Sequence, residues 1–100
     1  MAHIDFAWDP AKARSNLTKH GVAFEQAATV LADPLALTVY DDAHSEHEER
    51  WFTLGRSSDG RLLAVAHTYV AIGATSAEAR IISAREATRR ERLQYENEPR

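Results

Sequence analysis

The residues of this sequence that could do chemistry are concentrated in the stretch RIISAREATRRERLQYE, which begins at Arg80. A guanidinium group donates two parallel hydrogen bonds to a phosphate or a carboxylate, so a group of arginines is typical of an anion-binding site. Arg80 lies in the otherwise apolar stretch ARIIS, where an arginine usually pairs with a carboxylate or reaches an anion. Arg89, Arg90 and Arg92 fit a solvated helix face with glutamate partners equally well, and the pattern alone leaves both interpretations open.

Histidines form the second group of candidate residues. His67 alternates with apolar residues in RLLAVAHTYV, which indicates either a core histidine or a general acid or base. His20 precedes Gly21 at a predicted helix end, where a positive charge is favourable. His44 and His47 lie among carboxylates in DDAHSEHEE. No other histidine has a ligand spacing to them, so we interpret this stretch as a solvated acidic loop and not as a metal site.

Composition limits the class of protein. With 100 residues and 44% hydrophobic residues, the chain suits one domain spanning positions 1–100. Twelve Lys and Arg against fifteen Asp and Glu give a net charge of -3, so any anion site must be local. The absence of cysteine excludes disulfides and thiolate metal sites. The sequence shows neither a membrane-length apolar run nor a signal-peptide pattern, and we expect a cytoplasmic protein.

Two helices are predicted in the first third of the sequence. Asp9 is a typical N-cap, Pro10 fits the first helical position, and Gly21 closes the helix. Lys12, Asn16 and Lys19 fall on one polar stripe of that helix. A second helix is predicted from about position 24 to 32.

The period then changes to two, which predicts strands. The candidate strands are HIDFAW before the helices and LALTVYD, RWFTLGR, RLLAVAHTYV and ARIIS after them. The fourth of these is apolar on both faces and should be central, and SSDG predicts a hairpin turn. A last helix is predicted from about Ala84, with Arg85 in its first turn. The order β-α-α-β-β-β-β-α predicts an α+β fold, in which the two N-terminal helices cover one face of a mostly antiparallel sheet.

Four blocks in this order resemble the BrnT family of type II toxins: FAWDPAKARSNLTKHGVAFEQAATVLADP, HSEHEERWFTLGR, RLLAVAHT and RIISAREATRRERLQYE. The resemblance spans about Phe6 to Glu96. It implies a RelE-like fold, ribonuclease activity that stops translation, and a BrnA-like antitoxin whose ribbon-helix-helix domain binds operator DNA. Ala23 departs from the family, which often has a serine or threonine there, so the second helix should lack a side-chain N-cap.

The resemblance suggests roles for the candidate residues. Our hypothesis is a metal-independent endoribonuclease without a cofactor, in which Arg80 and Arg85 stabilise the transition state. Acid–base roles fall to His20, His67 or Tyr95. The expected RNA-binding residues are Lys12, Lys19, Arg50, Arg89 and Arg92. Because ribbon-helix-helix domains dimerise, we expect an even-numbered complex with the antitoxin. Two alternatives stay open: a non-catalytic module that binds protein or nucleic acid, and a metal hydrolase that uses His44 and His47.

Overall fold

The computed structural model describes residues 3–99. Helices and strands occur together as the sequence predicts, and the α+β class is confirmed. The strands are β1 His3–Ala7, β2 Leu37–Tyr40, β3 Arg50–Arg56, β4 Leu62–Thr68, β5 Val70–Ala71 and β6 Ser76–Glu86. The helices are α1 Pro10–His20, α2 Phe24–Val30 and α3 Arg89–Asn97, and a short 3-10 turn spans Asp42–His44. No helix in the described part of the chain is long and apolar enough to cross a membrane.

The strands form one mixed sheet in the order β1-β6-β4-β3-β2, with β5 paired to β6. The β1–β6 pair is parallel, and the other pairs are antiparallel. The prediction of a mostly antiparallel sheet with RLLAVAHTYV in a central strand is therefore confirmed.

Each face of the sheet is covered by different helices. On one face, which we call the helix-pair face, α1 and α2 enclose a core made of Val22, Phe24, Ala27, Val30, Leu63, Val65, Ile81 and Ala84. Leu62 and Ala64 alternate with Leu63 and Val65 along β4, so they point to the opposite face. There they pack with Leu54 and Tyr95 beneath α3, and we call this side the α3 face.

Local capping signals predicted both ends of α1. The side chain of Asp9 accepts a hydrogen bond of 2.8 Å from the Ala11 N–H. Gly21 ends the helix with a φ of 69°, a conformation that costs glycine little because it has no Cβ. Ala23 precedes α2 without a side-chain cap, as expected. Gly60, with a φ of 90°, lies in the predicted turn between β3 and β4.

The predicted start of the last helix at about Ala84 is wrong. Strand β6 continues to Glu86, and Ala84 pairs with Val65 of β4. Pairing with a buried neighbouring strand overrides the helix propensity of this stretch. The helix begins at Arg89, after a capping box in which Thr88 and Glu91 bond each other's backbone N–H groups.

This correction changes the environment of Arg85. It is a strand residue opposite Ala64, so its backbone is not part of a helix, and its side chain meets the first turn of α3 at Glu91, whose carboxylate compensates its charge. It also does not share a helix face with Arg89 and Arg92.

Asn16 completes the sheet where β1 ends. Strand β1 pairs only with residues 76–80 of β6. Further along β6, the Asn16 side chain donates 2.9 Å hydrogen bonds to the carbonyls of Ala84 and Val22 and accepts one of 3.0 Å from the Ala84 N–H. The buried amide thus occupies the place of a neighbouring strand, and it ties α1 to the segment between Arg80 and Arg85.

Candidate active site

Strand β6 presents Arg80 and Arg85 on the same side of the sheet. Residues five apart in a regular strand point to opposite sides. Here a β-bulge interrupts the register between β4 and β6, because Ala66 pairs with Ser83 but His67 pairs with Ile81. Ile81 points into the core of the helix-pair face, so Arg80 beside it points to the α3 face. Arg85 points the same way, because it lies opposite Ala64.

Arg50 of β3 lies on the same side of the sheet as these two side chains. It pairs with Thr68 of β4, and the Thr68 hydroxyl accepts a hydrogen bond of 2.9 Å from the Arg80 N–H. In β3, Arg50 alternates toward the same side as Leu54, which lies on the α3 face. We call the surface formed by Arg50, Arg80 and Arg85 the arginine face.

Glu48 is the acidic partner of two of these arginines. Its Oε1 accepts hydrogen bonds from Nη2 of Arg80 and, at 3.4 Å, from Nη2 of Arg50. The hydrogen bond from Arg80 holds the pKa of Glu48 below its ordinary value. The acidic loop after β2 therefore reaches the arginine face through one carboxylate.

Arg85 has a separate acidic partner on α3. Its two terminal nitrogens donate to the two oxygens of Glu91 at 2.7 and 3.0 Å. This hydrogen-bonded pair raises the pKa of Arg85 and lowers the pKa of Glu91. The guanidinium centre also lies 5.6 Å from the centroid of the Phe52 ring, within the range of a cation–π contact.

The basic residues of α1 border the free edge of β6. A hollow of about 190 Å³ is lined by Lys12, Ser15, Asn16, Lys19, His20, Ile82 and Ser83. We call it the lysine hollow. Ser83 lies between Arg80 and Arg85 in the same strand, so the lysine hollow and the arginine face adjoin each other around this edge. The cations of the lysine hollow and of the arginine face lie on either side of the edge of β6, an arrangement that suits the binding of a polyanion across this edge.

Comparison with known proteins identifies the family. Residues 8–91 match the family model described as "Ribonuclease toxin, BrnT, of type II toxin-antitoxin system". The chain belongs to the BrnT family. Family members are ribonuclease toxins of type II toxin-antitoxin systems, a type that implies an antitoxin partner.

A solved structure shares the fold of this BrnT-family chain. The crystal structure of the Brucella abortus ribonuclease toxin BrnT superposes with a TM-score of 0.60 at 22% sequence identity. The match covers 88% of this chain and 100% of the Brucella chain. A comparison with curated protein sequences gives no match.

In this BrnT-family chain, His67 lies away from the arginine face. It is 1% exposed and points to the helix-pair face, opposite Ile81. Its Nε2 lies 2.7 Å from the Thr53 hydroxyl and its Nδ1 lies 2.8 Å from the Thr68 carbonyl. Burial lowers its pKa, so the ring is neutral at pH 7. This environment fits the core-histidine interpretation.

Tyr95 is also engaged inside the fold. It is the buried residue on the inner side of α3, and its hydroxyl donates to the Asp33 carboxylate at 2.5 Å. Arg89 and Arg92 are exposed on the same helix, and neither forms an ion pair within residues 3–99. The site residues predicted from sequence thus divide into an accessible basic set and two buried groups, His67 and Tyr95.

Sequence reasoning missed the role of Glu48, because the acidic stretch that contains it was interpreted as uniformly solvated. His44 does lie in an exposed position, with its Nδ1 3.0 Å from Asp41. In the part of the chain that the structure describes, no three His, Asp or Glu residues converge as metal ligands. The available signal was the sequence HEER, in which a carboxylate stands two residues before the matched Arg50.

Proposed function

We propose that this BrnT-family toxin is a metal-independent endoribonuclease that cuts RNA on the arginine face and thereby stops translation in the cytoplasm. The observation that carries the proposal is the convergence of Arg50, Arg80 and Arg85 on one side of the sheet. Carboxylates hold these arginines in position, and a phosphate presents the same kind of oxygen to a guanidinium group. We propose further that the fold is related to that of RelE.

The chemistry requires fixed positive charge. In cleavage by the neighbouring 2′-hydroxyl, negative charge accumulates on the phosphate oxygens as the phosphorus becomes five-coordinate. Guanidinium groups that are already oriented stabilise this charge without reorganising. Arg80 and Arg85 fill this role, because ion pairs hold their head groups while each stays about two-fifths exposed. Dependence on the 2′-hydroxyl makes the enzyme inactive on DNA.

The remaining basic residues bind RNA on either side of the cleaved bond. Lys12 and Lys19 in the lysine hollow hold phosphates beyond the edge of β6, and Arg89 and Arg92 extend the contact along α3. Among the three expected acid–base residues, His20 is the exposed one and lines the lysine hollow. His67 and Tyr95 would have to break hydrogen bonds inside the fold before they could exchange a proton with RNA.

RNA cleavage by the purified protein in EDTA tests the activity. We expect the parent protein to cut RNA without added metal and Arg80→Ala to lose about 100-fold or more in rate, the usual effect of removing one charge-stabilising donor. Arg14→Ala is the matched control, because Arg14 is exposed on α1 outside the site and its removal should leave the rate unchanged. Equal melting temperatures show that the variants are folded.

Two results would contradict the proposal. Cleavage that requires added magnesium or zinc would replace it with a metal-dependent mechanism. Absence of cleavage by the folded parent, together with RNA binding that depends on Arg80, would favour a non-catalytic module. Growth and amino-acid incorporation after expression without a partner test the effect on translation, and both should stop within one generation.

The proposed partner is a BrnA-like antitoxin with a ribbon-helix-helix domain that carries the complex to operator DNA. A dimeric antitoxin presents two equivalent toxin sites, so the simplest assembly contains two toxins and two antitoxins. Light scattering of the co-expressed pair measures this mass directly. A one-to-one complex that never doubles would rule the assembly out.

A further inference from the structure

Glu48 differs from the other acidic residue of the arginine face in how its oxygens are used. Both oxygens of Glu91 accept hydrogen bonds from Arg85, and Oε1 also accepts one from the Thr88 N–H. Arg80 and Arg50, in contrast, share the Oε1 atom of Glu48. Within residues 3–99, no hydrogen bond is made to Oε2 of Glu48. Glu91 therefore positions an arginine, whereas Glu48 keeps an acceptor oxygen available.

The surroundings of Glu48 give a substrate access to that oxygen. The side chain is 35% exposed, and it borders a hollow of about 230 Å³ together with Arg50, His44 and His47. The hollow offers room for a ribose beside the carboxylate. A phosphate on Arg80 places the adjoining sugar close to Glu48, because the two side chains are in direct contact.

We propose that Glu48 is the general base of RNA cleavage. This inference rests on the proposed ribonuclease function and adds a catalytic residue to it. Oε2 takes the proton of the 2′-hydroxyl, and the 2′-oxygen forms a bond to the adjacent phosphorus. The bond from phosphorus to the 5′-oxygen breaks, and that oxygen takes a proton from solvent water. The products are a 2′,3′-cyclic phosphate and a 5′-hydroxyl, and Glu48 returns its proton to the solvent.

The charge state of Glu48 suits this role. The hydrogen bond from Arg80 lowers the pKa of Glu48, so the carboxylate is ionised at neutral pH but is a weaker base, and its action depends on its position beside the 2′-hydroxyl. After proton transfer, the carboxyl is neutral and no longer offsets the charge of Arg80, although it still accepts the hydrogen bond that orients the guanidinium group. The full positive charge of the guanidinium then faces the phosphate at the stage when negative charge accumulates there.

Replacement of Glu48 by glutamine tests the proposal. Glu48→Gln keeps the size of the side chain and a carbonyl oxygen, but it cannot take up a proton. We expect kcat to fall about 100-fold or more, within the usual contribution of a general base. KM should stay level or decrease, because the substitution removes a negative charge that competes with phosphate. Glu48→Asp should give an intermediate kcat.

Two measurements separate catalysis from a structural role. The first is the dissociation constant for an oligonucleotide with 2′-deoxyribose at the cleaved position, which binds but cannot react; Glu48→Gln should bind it at least as tightly as the parent does. The second is the matched control Glu49→Gln, in which the neighbouring exposed carboxylate is replaced and kcat should not change.

Each other outcome overturns the proposal. A kcat within threefold of the parent, or above it, would mean that Glu48 only occupies the arginines in the free protein. A parallel loss of kcat, oligonucleotide binding and melting temperature would mean that Glu48 only holds Arg80 in place. If the parent cuts no RNA, the proposed function and this inference both fail, whereas undiminished cleavage by Glu48→Gln removes this inference alone.

Discussion

Replacing Asn16 by alanine should strongly destabilise the protein although it removes only a small polar side chain. The three hydrogen bonds of Asn16 satisfy three backbone groups: the carbonyls of Val22 and Ala84 and the N–H of Ala84. Both residues are at most 1% exposed. Alanine leaves these groups without their partner, and a buried polar group without a partner costs about 1–3 kcal/mol.

The magnitude follows from the surroundings of the site. Asn16 borders the lysine hollow, and water entering there relieves part of the penalty, so the lower end of the range applies and the three groups cost about 3 kcal/mol. Alanine has a higher helix propensity than asparagine by roughly 0.6 kcal/mol, which offsets part of this loss. The expected net loss is about 2.4 kcal/mol. With an m-value of about 1–3 kcal/mol/M, the midpoint of urea unfolding should fall by roughly 1 M or more.

Two further variants make the measurement decisive. Ser15→Ala changes an exposed neighbour in the same hollow and should alter stability by less than about 0.5 kcal/mol. Asn16→Asp keeps the acceptor for the Ala84 N–H but turns a carboxylate toward two carbonyl oxygens, so it should be at least as unstable as Asn16→Ala. A loss below about 1 kcal/mol in Asn16→Ala, or a stable Asn16→Asp, would refute the assignment of these bonds.

Three other variants have defined outcomes. The hydrogen bond from Arg85 depresses the pKa of Glu91. The pair should therefore stabilise the fold at pH values above the ordinary pKa of glutamate and lose this contribution as the pH falls through the lowered pKa. In urea unfolding, the stability of Glu91→Gln should accordingly fall less steeply in acid than that of the parent. Gly55→Ala should cost about 1–3 kcal/mol by overpacking, because its Cβ would lie 2.9 Å from a side-chain carbon of α2; a normal melting temperature would contradict this. His44→Ala combined with His47→Ala should leave the melting temperature nearly unchanged and any remaining cleavage resistant to EDTA, and a large loss of melting temperature would point to a metal site.

The sequence predicted those parts of the fold that local signals determine. The ends of α1 followed from Asp9, Pro10 and Gly21, because capping involves residues within one turn of each other. The junction between β6 and α3 was placed about five residues too early, because Ala84 and Arg85 favour helix in isolation. Its marker was present in the sequence as the Thr88–Glu91 capping box.

The candidate site was predictable in residue type but not in arrangement. A group of arginines indicated an anion site, and the structure places Arg50, Arg80 and Arg85 on one face. Their common direction depends on a bulge between two strands, which no periodicity reveals. The contact between Glu48 and Arg80 joins residues 32 positions apart, so only the folded sheet brings them together.

The position of β6 between β1 and β4 has a consequence for how the toxin is synthesised. A nascent chain that ends before Ser76 lacks the strand that β1 pairs with and the second neighbour of β4. Its apolar strands stay unprotected, and the sheet closes only through contacts that are distant in sequence, which form slowly. Folding therefore follows translation of almost the whole described sequence. The strand that completes the sheet also carries Arg80 and Arg85, so a truncated chain that ends before Ser76 has neither the completed sheet nor these arginines.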